Sequence, residues 1–308
     1  MRSNCRPWIN VFGTFMQSHS PGKVRRLWLT TRRAFEEWQG HEGPRLAASL
    51  SLYSILSLAP LVILTIAIAS LVFDHSSAQT ALISEIRALM GADGASAVQT
   101  IIDHGNTPTA DRVASVIGIV TLLFGASSVF AELQSALNKI WEVDPKAHVG
   151  FTALIKSRLF SFAMVLAIGF LLLVSLLFSA ALAALGKYFG GMLPAPEWLL
   201  SALYLLVSFV GVSILITLIL KYVPDVPIHW RDVFEGGIAT ALLFTVGKFL
   251  FGLYLGKAAV GSAYGAAGSL IVVVLWVYYS AMIFYFGAEF THVRALERKG
   301  VDNRGRKQ

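Results

Sequence analysis

Residues 222–291 decide the fold. They open YVPDVPIHWRDVFEGGIATALLFTVGKFLFGLYLG, cross a short glycine-rich link, and close GAAGSLIVVVLWVYYSAMIFYFGAEFT. The two apolar runs, 232–256 and 265–291, are each long enough to cross a bilayer at about 1.5 Å of rise per residue. The pairs Gly252/Gly256 and Gly261/Gly265 have the small-xxx-small spacing that lets helix backbones approach in lipid. This spacing predicts close packing at that hairpin. Glu235, Lys248 and Glu289 lie inside the runs, where a charge costs several kcal/mol unless it is paired or wetted.

Working outward, the whole chain has the same character. Of 308 residues, 56% are hydrophobic and 14% charged, with mean hydropathy +0.66. Soluble domains carry about 25% charged residues, so this composition describes an integral membrane protein with little soluble mass. The one cysteine, Cys5, cannot form an internal disulfide.

Upstream of the deciding stretch, residues 1–22 read as a disordered tail. Their short apolar patch is broken by Asn10 and no signal-peptidase site follows. Residues 23–45 place Val24, Leu27, Trp28, Phe35 and Trp38 on one helical face, with Lys23, Arg25, Arg26, Arg32 and Arg33 largely elsewhere. That pattern predicts an amphipathic helix lying in the headgroup plane. Further spans follow at 46–73, which Pro60 should kink, and at 113–131, 159–185 and 198–220. Residues 77–106 predict two short amphipathic helices on the outer face, broken at Gly91–Gly94. Residues 132–141 should carry the second span out of the membrane as a helix. The last 17 residues, 292–308, read as a basic tail.

Charge asymmetry sets the orientation. With both termini cytoplasmic, twenty of the 25 Lys and Arg residues fall inside and four outside, with Lys248 in a span. The opposite orientation violates the positive-inside rule. The fold class expected is therefore an all-α membrane protein: a six-helix bundle with interfacial amphipathic helices. The net charge of +7 belongs to this asymmetry and to anionic headgroups, not to nucleic acid.

Several segments resemble a known family. They are Leu50-Ser-Leu-Tyr-Ser-Ile-Leu-Ser-Leu-Ala-Pro60, Gly125-Ala-Ser-Ser-Val-Phe, and Leu133-Gln-Ser-Ala-Leu-Asn-Lys-Ile-Trp141. Trp230-Arg-Asp-Val-Phe-Glu-Gly-Gly237, Leu275-Trp-Val-Tyr-Tyr and Phe286-Gly-Ala-Glu-Phe290 complete the set. Together they are similar to the YihY/BrkB family of bacterial inner-membrane proteins, over about residues 35–294. The resemblance implies a transport-like role. It supplies no substrate and no catalytic residues, and the ribonuclease BN label the family has carried is regarded as a misassignment.

The residues themselves also speak against a nuclease. The seven histidines (His19, His41, His75, His104, His148, His229, His292) stand singly, and no HxH, HExxH, CxxC, GxSxG or phosphate-loop spacing occurs. No enzyme, cofactor or metal is expected.

The stronger constellation is a set of polar residues near the inner boundary. Glu132, Glu235 and Glu289 sit on three helices, with Gln134, Asn138, Arg158 and Arg231 within topological reach. They can be salt bridges that pin helix ends. Alternatively, they line a water-filled vestibule whose acids bind cations or protons, or whose acid–arginine pairs form a gate. Lys248, about 20 Å beyond Glu235 along its helix, either snorkels outward or lines a cavity for an anionic group. Tyr53, Tyr278 and Tyr279 are packing or interface aromatics that could line the same cavity. Two functions stay open: a transporter, channel or lipid-handling permease, and a non-transporting envelope scaffold. The partners expected are anionic lipid headgroups and an unidentified small molecule, ion or lipid, with homo-oligomerisation open.

Overall fold

The computed structural model describes residues 23–70, 74–105, 125, 128–143, 197–257 and 268–305. All the regular structure among them is helical: α1 (Lys23–Gly40), α2 (Gly43–Ala69), α3 (His75–Gly105), α4 (128–140), α5 (Glu197–Tyr222), α6 (Trp230–Lys257) and α7 (Gly268–Gly305). The expected span 159–185 and most of 113–131 lie outside the described residues. Within α5, α6 and α7, the segments Leu205–Tyr222, Trp230–Tyr254 and Gly268–Lys299 are long and apolar enough to cross a membrane. The described residues are thus an all-helical array with three helices able to cross a membrane.

The longest helix, α7, is the axis of the bundle. It packs against α1, α2, α3 and α6, while α5 reaches it through α6. At about 57 Å for its 38 residues it exceeds a hydrocarbon core of about 30 Å, so one end must project. Here the fold departs from the sequence reading. The expected tail 292–308 is helical to Gly305, and His292, Val293 and Ala295 are buried. α1 covers part of this stretch, its Ala34 packing with Phe290 and Val293. The expected amphipathic helix therefore has a protein partner along one face, while Leu27, Trp28 and Phe35 remain exposed on another.

Between α1 and α2 the chain turns at His41 and Glu42, the latter in the left-handed region at φ 60°. The Trp38 indole closes over Gly43 so tightly that a Cβ there would overlap the ring. α2 then runs unbroken through Pro60 to Ala69. α3 breaks at Gly91 (φ 80°, ψ −171°), as expected from the glycine pair, because only glycine adopts that backbone without strain.

Apolar packing concentrates at both ends. At the end where the basic residues gather, Leu137 and Ile140 of α4 join Leu220, Val223, Ile228, Val233, Tyr285 and Ala288 in the largest buried cluster. At the opposite end, Val62 and Ile66 of α2 pack on Val98 and Ile102 of α3. The α5–α6 loop is fastened to the first cluster by polar contacts. Asn138 Oδ1 accepts from the Asp225 backbone N–H at 2.9 Å, and Asn138 Nδ2 donates to Asp225 Oδ2 at 2.8 Å. Lys221 caps the Ile228 carbonyl from the other side.

The close helix approach lies elsewhere than the sequence suggests. Gly252 has open space around it. Gly261 and Gly265 lie outside the described residues, and nothing is described around Gly256. Instead α6 and α7 interlock through Gly236/Thr240 and Gly287/Thr291. A Cβ on Gly236 would sit 2.8 Å from Thr291 Cβ, and one on Gly287 2.7 Å from Thr240 Cβ. Each threonine donates its hydroxyl to the glycine carbonyl one turn back, at 2.7 Å in both helices. The crossing is thus reciprocal, with each helix offering one notch and one knob and leaving no threonine hydroxyl unsatisfied. On the other side of α6, Gly237 receives Thr217 of α5 in the same way.

Candidate functional site

The crossing brings the basic ends of α6 and α7 side by side, and the ionisable residues there sort into two groups. One is an ion-pair lattice. Arg294 lies 2.7 Å from Glu235, with Arg298 at 3.4 Å and Arg231 at 3.5 Å from the same carboxylate. Arg298 also reaches Asp232 at 2.7 Å, and Asp232 is almost wholly buried. Glu297 extends the lattice to α1, through the Thr30 hydroxyl at 2.8 Å and Arg26 at 3.9 Å. The arrangement neutralises each acid and ties α1, α6 and α7 together.

The other group centres on Glu289, which has no exposed surface. It lies on the inward face of α7 with Tyr285 one turn deeper and His292 one turn nearer the basic end. Its Oε1 is 2.7 Å from His41 Nδ1, supplied by the α1–α2 turn. Its Oε2, the Tyr285 hydroxyl and His292 Nδ1 are all buried without a hydrogen-bond partner among the described residues, as are the indole nitrogens of Trp38 and Trp141. The Trp141 ring lies against His292, centroids 4.9 Å apart. Buried polar groups in proteins are almost always paired, so the unpartnered Oε2, with Tyr285 and His292 unpartnered one turn to either side on α7, marks this as an unusual place in the bundle.

A third, solvent-facing contact joins Lys139 of α4 to Glu42 at 3.1 Å. The Lys139 hydrogen bond and charge, with help from Arg45, hold the Glu42 carboxyl below its ordinary range.

The sequence candidates distribute as follows. Glu235 and Arg231 meet in the lattice, while Glu289 stands apart with His41. Gln134 and Asn138 both bind Asp225, at 3.1 Å and 2.8 Å, and so fasten a loop. Glu132 is half-buried on α4, and its charge faces Tyr285. Arg158 lies outside the described residues. Lys248 is half-buried on α6, Tyr53 is 36% exposed on α2, and Tyr279 stacks on Phe251 at 5.6 Å. Tyr278 packs at the edge of the larger core.

Sequence reasoning missed His41, His292, Arg294 and Arg298. The histidines stand singly in sequence, yet His41 reaches Glu289 from the opposite end of the chain and His292 lies one turn from it on α7. One signal was present: Glu289, His292 and Tyr285 share a helical face, provided the helix continues past Thr291.

A family model described as Virulence factor BrkB matches residues 34–308. The chain belongs to the BrkB family. Among curated proteins it is similar to a UPF0761 membrane protein of Pseudomonas aeruginosa (strain LESB58), 28% identical over 80% of this chain and 58% of that one. A UPF0761 membrane protein of Legionella pneumophila is 31% identical over 60% of this chain and 43% of its own length. One from Neisseria meningitidis serogroup B is 26% identical over 91% and 66% respectively. The BrkB-family chain thus spans 58% of the length of the first of these relatives. No solved structure matches it.

Proposed function

We propose that this protein is a multi-pass transporter, channel or lipid-handling permease of a bacterial inner membrane, with six spans, both termini cytoplasmic and its polar mouth at the cytoplasmic side. The observation that carries this reading is Glu289. A fully buried carboxylate on a membrane-crossing helix, with one oxygen unpartnered, is costly and is a functional-site feature by default. The gathering of arginines at that same end supports a cytoplasmic assignment through the positive-inside rule. The exposed Leu27, Trp28 and Phe35, with Arg32 over the Trp28 ring at 5.8 Å, suit α1 to an anionic headgroup layer. On this reading the protein is not an enzyme and needs no cofactor, metal or nucleic acid.

A second reading, a non-transporting envelope scaffold, is favoured by the ion-pair lattice. Three acids held by four arginines brace helix ends and leave Glu235 fully engaged.

Reconstitution separates the two readings. Proteoliposomes are assayed with a fluorescent phospholipid for lipid flipping and by light scattering for small-solute entry. Transport predicts flux above empty vesicles in at least one assay. Folded protein that supports neither overturns it and leaves the scaffold.

The topology has its own test. Reporters active only outside the cytoplasm are expected to be bright after Asp103 or Lys187 and dark after Lys146, Asp225 and Arg304. A bright signal at Lys146 excludes six spans.

A further inference from the structure

We infer that Glu289 and His41 form a single proton-binding site, and that the ion coupled to transport is the proton. The coupling half of this inference rests on the transport reading above; the site does not.

Geometry selects the ligand. The His41 side chain keeps 17% of its surface exposed while that of Glu289, 2.7 Å behind it, keeps none, so the imidazole stands between solvent and the acid. A hard metal cation needs about six oxygen ligands. The one group in contact with this carboxylate is instead a ring nitrogen, His41 Nδ1, and no cluster of three His, Cys, Asp or Glu residues able to hold a metal occurs among the described residues. A proton needs only the pair. With one shared proton the unit is neutral, and burial favours the form without separated charges, imidazole beside carboxylic acid. Losing that proton to solvent through His41 leaves neutral imidazole, a carboxylate and a net charge of −1 in a buried place. Regaining it restores neutrality. No other reactant is required.

The surroundings are consistent with a site that changes charge. The lattice acids each have a guanidinium within reach; Glu289 has none among the described contacts. The titratable groups that face it are His41 from the α1–α2 turn, Glu37 from α1 and Glu142 from the turn that follows α4. On α7 itself, His292 faces those same three together with Lys299, and Tyr285 faces Glu132 of α4. Inward of Glu289, the unpartnered Tyr285 hydroxyl continues the polar line along α7 toward the bundle interior. Protonation at Glu289 therefore acts where α1, α4 and α7 meet, at the seam between the cytoplasmic layer and the spans.

Infrared difference spectroscopy of the purified full chain, titrated between about pH 5 and pH 9, reads the site directly. A carboxylic-acid carbonyl band is expected to titrate in the wild type, to vanish in Glu289→Gln, and to shift its midpoint in His41→Gln. Dye-measured proton release over the same range should fall by about one proton per chain when both partners are removed, in Glu289→Gln combined with His41→Gln. If the Glu289→Gln variants fail to fold, the wild type and His41→Gln still decide. A folded wild type with no titrating carboxyl band overturns the site, and so does a midpoint indifferent to His41→Gln. Vesicles loaded with a pH-sensitive dye test the coupling separately. Acid-driven proton entry lost in Glu289→Gln supports it, and a titrating band without entry overturns the coupling while the site stands.

Discussion

Gly287→Leu is expected to destabilise the bundle by about 3 kcal/mol or more, seen as a large fall in the melting temperature of the detergent-solubilised protein. The added side chain has nowhere to go, because Thr240 Cβ already lies 2.7 Å from where its first carbon would sit. Thr240 cannot swing aside freely either, since its hydroxyl is held by the Gly236 carbonyl at 2.7 Å. Even Gly287→Ala should cost about 1–3 kcal/mol, the usual range for overpacking. Removing the opposing knob tests the geometry: Gly287→Ala combined with Thr240→Gly should recover part of the loss. Gly252→Leu, on the same pair of helices but in open space, should stay within about 0.5 kcal/mol of wild type. Equal effects at Gly252 and Gly287 would mean that the interlock is not what holds α6 to α7.

That contrast shows where sequence reading reaches its limit. Glycine spacing announces that two helices can approach, but it does not say which glycines face the partner. Gly252 has the spacing and open space around it. Gly236 and Gly287 become notches because a threonine from the opposite helix arrives at each, a fact about register between segments some 50 residues apart. Apolar periodicity, run length and the glycine pair are enough to find α5, α6, the apolar part of α7, the break at Gly91 and the helical exit expected at 132–141, which is helical from 128 to 140. They could not find the end of α7. Beyond Thr291 its polar residues read as a solvated tail, yet a helix that already exists is extended cheaply when Arg294, Glu297 and Arg298 find partners on α6 and α1. The candidate site was legible to the same degree. Glu235 and Glu289 stood out because charge in an apolar run is rare. Their partners did not, because His41 and Arg298 become neighbours only after the chain has folded back on itself.

The second large effect follows from those partners. Arg298 bridges two acids of unequal burial: Asp232, almost wholly buried, and Glu235, about one-third exposed. Arg298→Ala leaves the Asp232 carboxylate inside without its guanidinium. Breaking a fully buried pair costs about 3–5 kcal/mol; the partial exposure of Arg298 reduces this, and about 2 kcal/mol is expected. The N-terminus of α6 softens the loss, because Asp232 occupies its first turn, where the helix dipole favours a negative charge. Arg298→Lys should recover only part of the difference, since a single ammonium replaces a fork that spans both carboxylates. Glu235→Gln should cost less than Arg298→Ala, because its site is wetter and the amide can still accept from Arg294. Chemical or thermal unfolding of the four proteins at low and high salt gives the ranking, and screening should shrink the Glu235 effect more than the Arg298 effect. If Arg298→Ala matches wild type within about 0.5 kcal/mol, the lattice does not brace the helix ends. Its arginines would then be free to serve an anionic ligand at that end of the bundle, and the scaffold reading would lose the observation that favours it.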